Sequence, residues 1–313
     1  MKTAPSPSVI RALFDNANPD EVWDRAVEIV RRIDPEFDFS SAQAAFQDVV
    51  RLFRGEYPGY RPITTLYHDM HHTLDVFLCA VRLLHGTHIS GLCPHLDGEG
   101  ITLVMIAALM HDTGYAQALG DETGTGAKYT KTHVSRGIEF MRRQIADRNF
   151  PPGWAASLEA MILCTDPALD HSQTQFPNER TRLLGRLVGT ADLVGQMADR
   201  TYLEKLLFLY FEFKEAHLGD YRNVHDLLSR TKQFYELTQK KLDSEFGCLY
   251  NMLTLHFDDE FGVEHNYYLE SIEKNIVYLS QIIQLDEEEL LSMLKRGGIV
   301  EKTKTLAEPA DLA

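Results

Sequence analysis

Two short runs in this 313-residue chain carry side chains able to do chemistry: Tyr67-His68-Asp69-Met70-His71-His72 and Met110-His111-Asp112-Thr113-Gly114. Around the first, Leu66, Met70, Leu74, Phe77, Leu78 and Val81 recur at helical spacing. His68 and His72 are four apart, which places both on one face of the predicted helix. Residues 101–110 are almost wholly apolar, so the second run closes a helix buried on all sides. An ionised Asp beside a His is costly in such a place unless something compensates it. A divalent cation does so directly, because neutral imidazole and carboxylate are both metal ligands. An isolated His-Asp pair can equally be a hydrogen-bonded cap, and an isolated HxxxH need bind nothing. The two runs make one metal site only if their helices meet.

The surrounding pattern supplies helices to position them. Asn18-Pro19-Asp20-Glu21 is a helix start with Pro in the first turn and acids favouring the dipole, and Asp34-Pro35 ends that helix. A second runs from Ser40 or Ser41 to Gly55. The first motif helix is predicted over 65–85, stopping at Gly86. A loop over 86–100 then holds His88 and His95 as exposed histidines. Residues 114–129 form a polar loop beside the HD pair, where loops commonly shape access. Its Thr123-Gly124-Thr125-Gly126 texture matches neither a P-loop nor a dinucleotide pattern. Helices follow over 132–146 and up to Cys164, and a long helical stretch over 180–217 carries Asp192. Beyond the Gly219-Asp220 break come three more, over 224–246, 263–285 and 287–295. No alternating strand pattern and no repeat is visible. The expected architecture is all-α: an N-terminal helical extension over 1–59, a metal-binding core over 60–218, and a C-terminal helical part over 219–313 with a frayed tail.

The order of these motifs resembles the H…HD…D signature of the HD-domain metal phosphohydrolases. It is most similar to class I cyclic-nucleotide phosphodiesterases: Tyr67-His68-x-x-x-His72 resembles their YHNxxHA motif, and Ala107 to Asp112 their second motif. Met161-Ile162-Leu163-Cys164-Thr165-Asp166 resembles their VLATD segment, and Gly189-Thr190-Ala191-Asp192-Leu193 the segment carrying their last ligand. The resemblance covers about residues 60–215. It implies His72, His111, Asp112 and Asp192 as ligands of a divalent ion (Mg, Mn, Zn or Fe), with Asp112 able to bridge to a second. It implies His68 as general acid, and metal-activated water attacking the phosphorus of a small phosphate ester, a 3′,5′-cyclic nucleotide foremost. Tyr115 stands where the relatives carry a third His, and Thr130 where they carry a Glu, so one ion is expected and a second is open. His133 remains beside that position, either as an extra ligand or not. Thr165 and Asp166 are placed to orient water; His71 is given a structural role and His171 an exposed loop. The alternatives are hydrolysis of another nucleotide or phosphomonoester, and a degenerate HD module that binds or regulates.

Composition narrows the partners. Acidic residues outnumber basic ones 46 to 31, a net charge of −15 that disfavours a nucleic-acid polymer. A small phosphate ester stays compatible, since a metal supplies the local positive charge. Cys79, Cys93, Cys164 and Cys248 are scattered without a CxxC, as reduced thiols of a cytoplasmic protein would be. No signal peptide and no membrane-spanning run is read. Oligomeric state is left open.

Overall fold

The computed structural model describes residues 5–93, 96–171 and 174–306, and the regular structure among them is helical. Strand-type pairing among these residues is limited to an isolated bridge between Tyr60 and Ala118. The all-α expectation holds. No helix among the described residues is long and apolar enough to cross a membrane.

The chain opens with α1 (Pro7–Ala12), α2 (Pro19–Ile33) and α3 (Ser40–Arg54). Asn18 caps α2 by accepting the Asp20 amide at 3.1 Å, as the sequence predicts. Next come α4 (Met70–Ser90), α5 (Gly98–Met110), α6 (His133–Asp147), α7 (Trp154–Leu163), α8 (Glu179–Ala198) and α9 (Tyr202–Glu215). The chain continues through α10 (Val224–Ser244), α11 (Met252–Phe261), α12 (Tyr267–Ile282), α13 (Glu287–Met293) and α14 (Ile299–Lys304).

α4 is the axis of the molecule. It is buried from His72 through Thr87, and α2, α5, α8 and α11 pack around it. A helix covered on every side must be apolar or pair the polar groups it buries, as α4 does with Asp75 to Asn16 and Arg82 to the Tyr268 hydroxyl; α5 beside it, buried from Gly100 to Met110, is almost wholly apolar. α2 closes one flank, where Trp23 stacks on Phe77 with centroids 6.3 Å apart.

Several boundaries differ from the sequence expectation, each for a physical reason. α4 begins at Met70, because Asp69 caps it by accepting the His72 amide at 2.9 Å; His68 lies in the turn before it and shares no helix face with His72. α4 also runs through Gly86 to Ser90 instead of stopping there. A Cβ on Gly86 would stand 1.8 Å from the Met252 carbonyl oxygen, so the glycine marks where α11 crosses, not a helix end. His88 is exposed, but in the last turn of α4 and not in a loop. His95 and the tail beyond 306 lie outside the described residues. The stretch 180–217 breaks at Asp199, whose Oδ1 accepts the amide and hydroxyl of Thr201 at 2.8 and 2.9 Å. Among the C-terminal helices, α11 and α14 were not anticipated.

Where α11 crosses α4, the buried rings of His85 and His256 meet with their Nδ1 atoms 3.0 Å apart. That contact forbids both rings being protonated together. Burial, reinforced at His85 by its neighbour, lowers each pKa from 6.5 to about 4. Between those values the unfolded chain takes up protons that the folded chain refuses, so stability falls as pH drops from 6.5 toward 4. Urea-unfolding midpoints should fall across that window. They should fall less in His256→Gln; equal slopes in the two proteins would refute the assignment.

Candidate metal centre

Three helices converge on one point. α4 brings His72 in its first turn, α5 ends so that His111 and Asp112 follow it directly, and α8 brings Asp192. Asp112 leads into a short 3-10 turn, Thr113–Tyr115, pressed against the start of α6. A Cβ on Gly114 would lie 1.8 Å from the His133 carbonyl oxygen, so only glycine allows this approach, and it carries His133 to the site.

His72 Nε2 lies 3.3 Å from His111 Nε2, 3.3 Å from Asp112 Oδ2 and 3.4 Å from Asp192 Oδ1. His111 Nε2 lies 3.2 Å from Asp112 Oδ2 and 3.7 Å from Asp192 Oδ1. Neighbouring ligand atoms around an ion held at about 2.0–2.2 Å stand roughly 3–3.5 Å apart, so the spacing suits one. His111 Nδ1 donates to the Ala108 carbonyl at 2.8 Å, which leaves its Nε2 a bare lone pair. Asp112 Oδ2 is buried with both imidazole Nε2 atoms within 3.3 Å of it. His72, His111 and Asp112 form a compact group that could hold a metal ion, and Asp192 approaches both imidazoles from a third helix.

The protonation states say the same thing. Burial works to lower the His72 pKa, but Asp112 and Asp192 draw it up to about 10. Burial works to raise Asp112, but His111 and His72 hold it well below the usual carboxylate range. Without an ion, a proton on His72 supplies the positive charge the carboxylates demand. A metal entering the group must expel it.

Asp112 faces a second set of residues through its other oxygen. His133 Nε2 is 3.7 Å from Asp112 Oδ1, while its Nδ1 donates to the Thr130 carbonyl at 2.7 Å. Burial lowers the His133 pKa, so its Nε2 presents a lone pair toward a carboxylate, an arrangement a second cation would relieve. Tyr115 contributes a ring that stacks on His68 at 4.5 Å and on His133 at 4.7 Å.

His68 reaches the site from the turn before α4, with its ring 5.8 Å from that of His72. Its Nδ1 donates to Glu212 Oε2 at 2.6 Å, and Glu212 Oε1 accepts the Tyr67 amide at 2.7 Å. The His68 Nε2 is 3.5 Å from the Tyr115 hydroxyl. Sequence reasoning missed Glu212. Its signal was an acid, buried on α9, inside the otherwise apolar run of 206–213.

These groups open on a cavity of about 900 Å³ bounded by α6, α8, α9 and α10. Thr165 and Asp166 line it, but Thr165 Oγ1 donates to the Ile162 carbonyl at 2.8 Å and Asp166 Oδ1 accepts the Ala168 amide at 2.9 Å. His171 is buried against Phe246 at 5.2 Å, not exposed as expected, and burial lowers its pKa to about 4. The Gly-Thr texture of the polar loop serves a carboxylate of the chain itself. Glu215 Oε1 accepts the Thr125 amide at 2.7 Å and the Lys128 amide at 3.3 Å. His71 faces away, into a separate cluster with Asp75 and Asp199. The positive charge there is Lys205, whose Nζ lies 2.8 Å from His71 Nδ1 and 2.7 Å from Asp199 Oδ2.

The model of a family described as Npun_R2479-like matches residues 60–244, from before the first motif to the end of α10. No curated protein and no solved structure matches the chain. Elemental analysis after dialysis against Mn or Zn should find at least one ion per chain in the natural protein and none retained by Asp112→Ala. The ion should also raise the melting temperature of the former alone. Equal metal content in both would reject the site.

Proposed function

The chain belongs to the Npun_R2479-like family, and for it we propose divalent-metal-dependent hydrolysis of a phosphate ester. The observation that carries the reading is a buried group of mutually facing acceptors, His72, His111, Asp112 and Asp192, opening on a large cavity with the His68–Glu212 pair beside it. The order of these residues along the chain supports an HD-type phosphohydrolase. A divalent cation held there supplies Lewis acidity, lowering the pKa of a water toward neutrality and offsetting charge on phosphoryl oxygens.

The remaining work falls to the chain's own residues. Glu212 fixes the His68 ring by accepting from its Nδ1, which directs Nε2 at the Tyr115 hydroxyl and the cavity. Protonated there, Nε2 gives its proton to the departing alcohol oxygen. Glu212 is a positioning residue, since it acts through His68. Tyr115 and His133 wall the other side of Asp112 and hold the imidazole planes by stacking. The motif likeness favours a 3′,5′-cyclic nucleotide; the walls of the cavity place a separate constraint on the alcohol. A second reading, a metal-binding regulatory module, draws on Tyr115 and Thr130 standing where the phosphodiesterases that the motifs resemble have His and Glu.

Purified protein loaded with Mn or Mg is expected to hydrolyse members of a panel of phosphodiesters and phosphomonoesters, and Asp112→Ala to abolish this. His68→Ala should lower kcat for alkyl esters by about 10²–10⁴-fold, the usual contribution of a general acid. It should do much less for 4-nitrophenyl esters, whose leaving group departs without a proton. Glu212→Leu should share part of that discrimination and Glu212→Gln restore much of it, because an amide oxygen still accepts from Nδ1. A fully loaded protein that leaves every ester intact supports the regulatory module instead.

A further inference from the structure

The volume and lining of the cavity identify the rest of the substrate. Sites that enclose drug-sized ligands run to roughly 300–1,000 Å³, and this one has about 900 Å³. A phosphoryl group at the metal end fills a small part of that. The walls beyond it are largely apolar: aliphatic at Ile138 on α6, Leu193 on α8 and Leu206 and Leu209 on α9, and aromatic at Phe213 on α9 and Phe234 on α10.

Most of the polar groups among them are engaged within the chain, the buried Tyr202 hydroxyl excepted. Thr130, Ser135 and Thr231 donate their hydroxyls to backbone carbonyls of their own segments at 2.6, 2.8 and 3.2 Å. Thr165 does the same with Ile162, as above. The Gln196 carbonyl oxygen accepts the Tyr67 hydroxyl at 2.8 Å. Among the charged side chains, Arg142 pairs with Glu159, Arg230 pairs with Asp226 at 2.9 Å and Lys131 Nζ donates to the His217 carbonyl at 3.1 Å, while Glu139 faces solvent. A nucleobase would bring several donors and acceptors against walls with little free to meet them, and sites that discriminate for such groups are built to pair them. An alkyl or aryl group needs no such partner and gains by leaving water.

We propose that the ester taken by this site carries an apolar alcohol, a medium-length alkyl or aryl chain held along α8, α9 and α10, in preference to a nucleoside. The proposal rests on the phosphohydrolase reading for its chemistry and on the cavity walls for its selectivity.

Non-hydrolysable n-alkylphosphonates from ethyl to octyl, titrated calorimetrically into metal-loaded protein, separate the two. Kd should fall by up to about fourfold per added methylene, the equivalent of about 0.8 kcal/mol, until the cavity is full. Octylphosphonate should bind more tightly than adenosine 5′-monophosphate. Alkyl phosphates assayed in parallel should show kcat/KM climbing along the same series. Leu209→Asn, at a half-buried wall position, should flatten both slopes. A flat phosphonate series, or tighter binding of the nucleotide, overturns the proposal even if esters are cleaved. A steep series in a protein that cleaves nothing keeps the apolar site and overturns the hydrolase reading.

Discussion

Lone pairs that point at one another where water barely reaches cannot stay uncompensated, and much of this fold follows from that constraint. His72, His111, Asp112 and Asp192 converge from three helices. Holding them against mutual repulsion takes a rigid, closely packed frame, and α4 and α5 provide it by being buried on all sides. The apolar packing of these helices and the polar residues where they meet are therefore parts of one arrangement. The helices fix positions, and the positive charge their junction calls for is supplied by a proton on His72 or by a cation the group could hold.

Asp112 divides the site. One oxygen faces His72 and His111, the other faces His133. Beside this axis, Glu212 and Tyr115 hold His68 by a hydrogen bond on one ring nitrogen and by stacking on the ring face. The separate cluster of His71, Asp75 and Asp199 shows the contrast. It has a similar donor set, but the Lys205 ammonium already stands within it.

Much of the site was legible in the sequence because its residues belong to short runs on strongly apolar helices. His72, His111, Asp112 and Asp192 could be named before their helices were known to meet. His68 was placed beside them for an incomplete reason, since Asp69 caps α4 and puts His68 in the preceding turn. Glu212 stood out only as an acid inside an apolar run, and its role was not legible because its partner lies 144 residues away. Gly86 misled for the opposite reason. A glycine within a helical pattern reads as a stop, whereas its use here is close approach by a distant backbone carbonyl. The burial of His171 against Phe246 is likewise tertiary and left no periodic trace.

The turn at Asp199 links the two halves of the site more tightly than its length suggests. Asp192 on α8 and Glu212 on α9 are joined by continuous helix except for this short break. Each residue added to or removed from a helix rotates everything after it by about 100° about the axis. One residue inserted into α9 ahead of Glu212 would swing its carboxylate off the His68 ring while leaving Asp192 in place. The segment from Asp192 to Glu212 behaves as a gauge of fixed length, and variation in chain length among members of the family should be absorbed outside it.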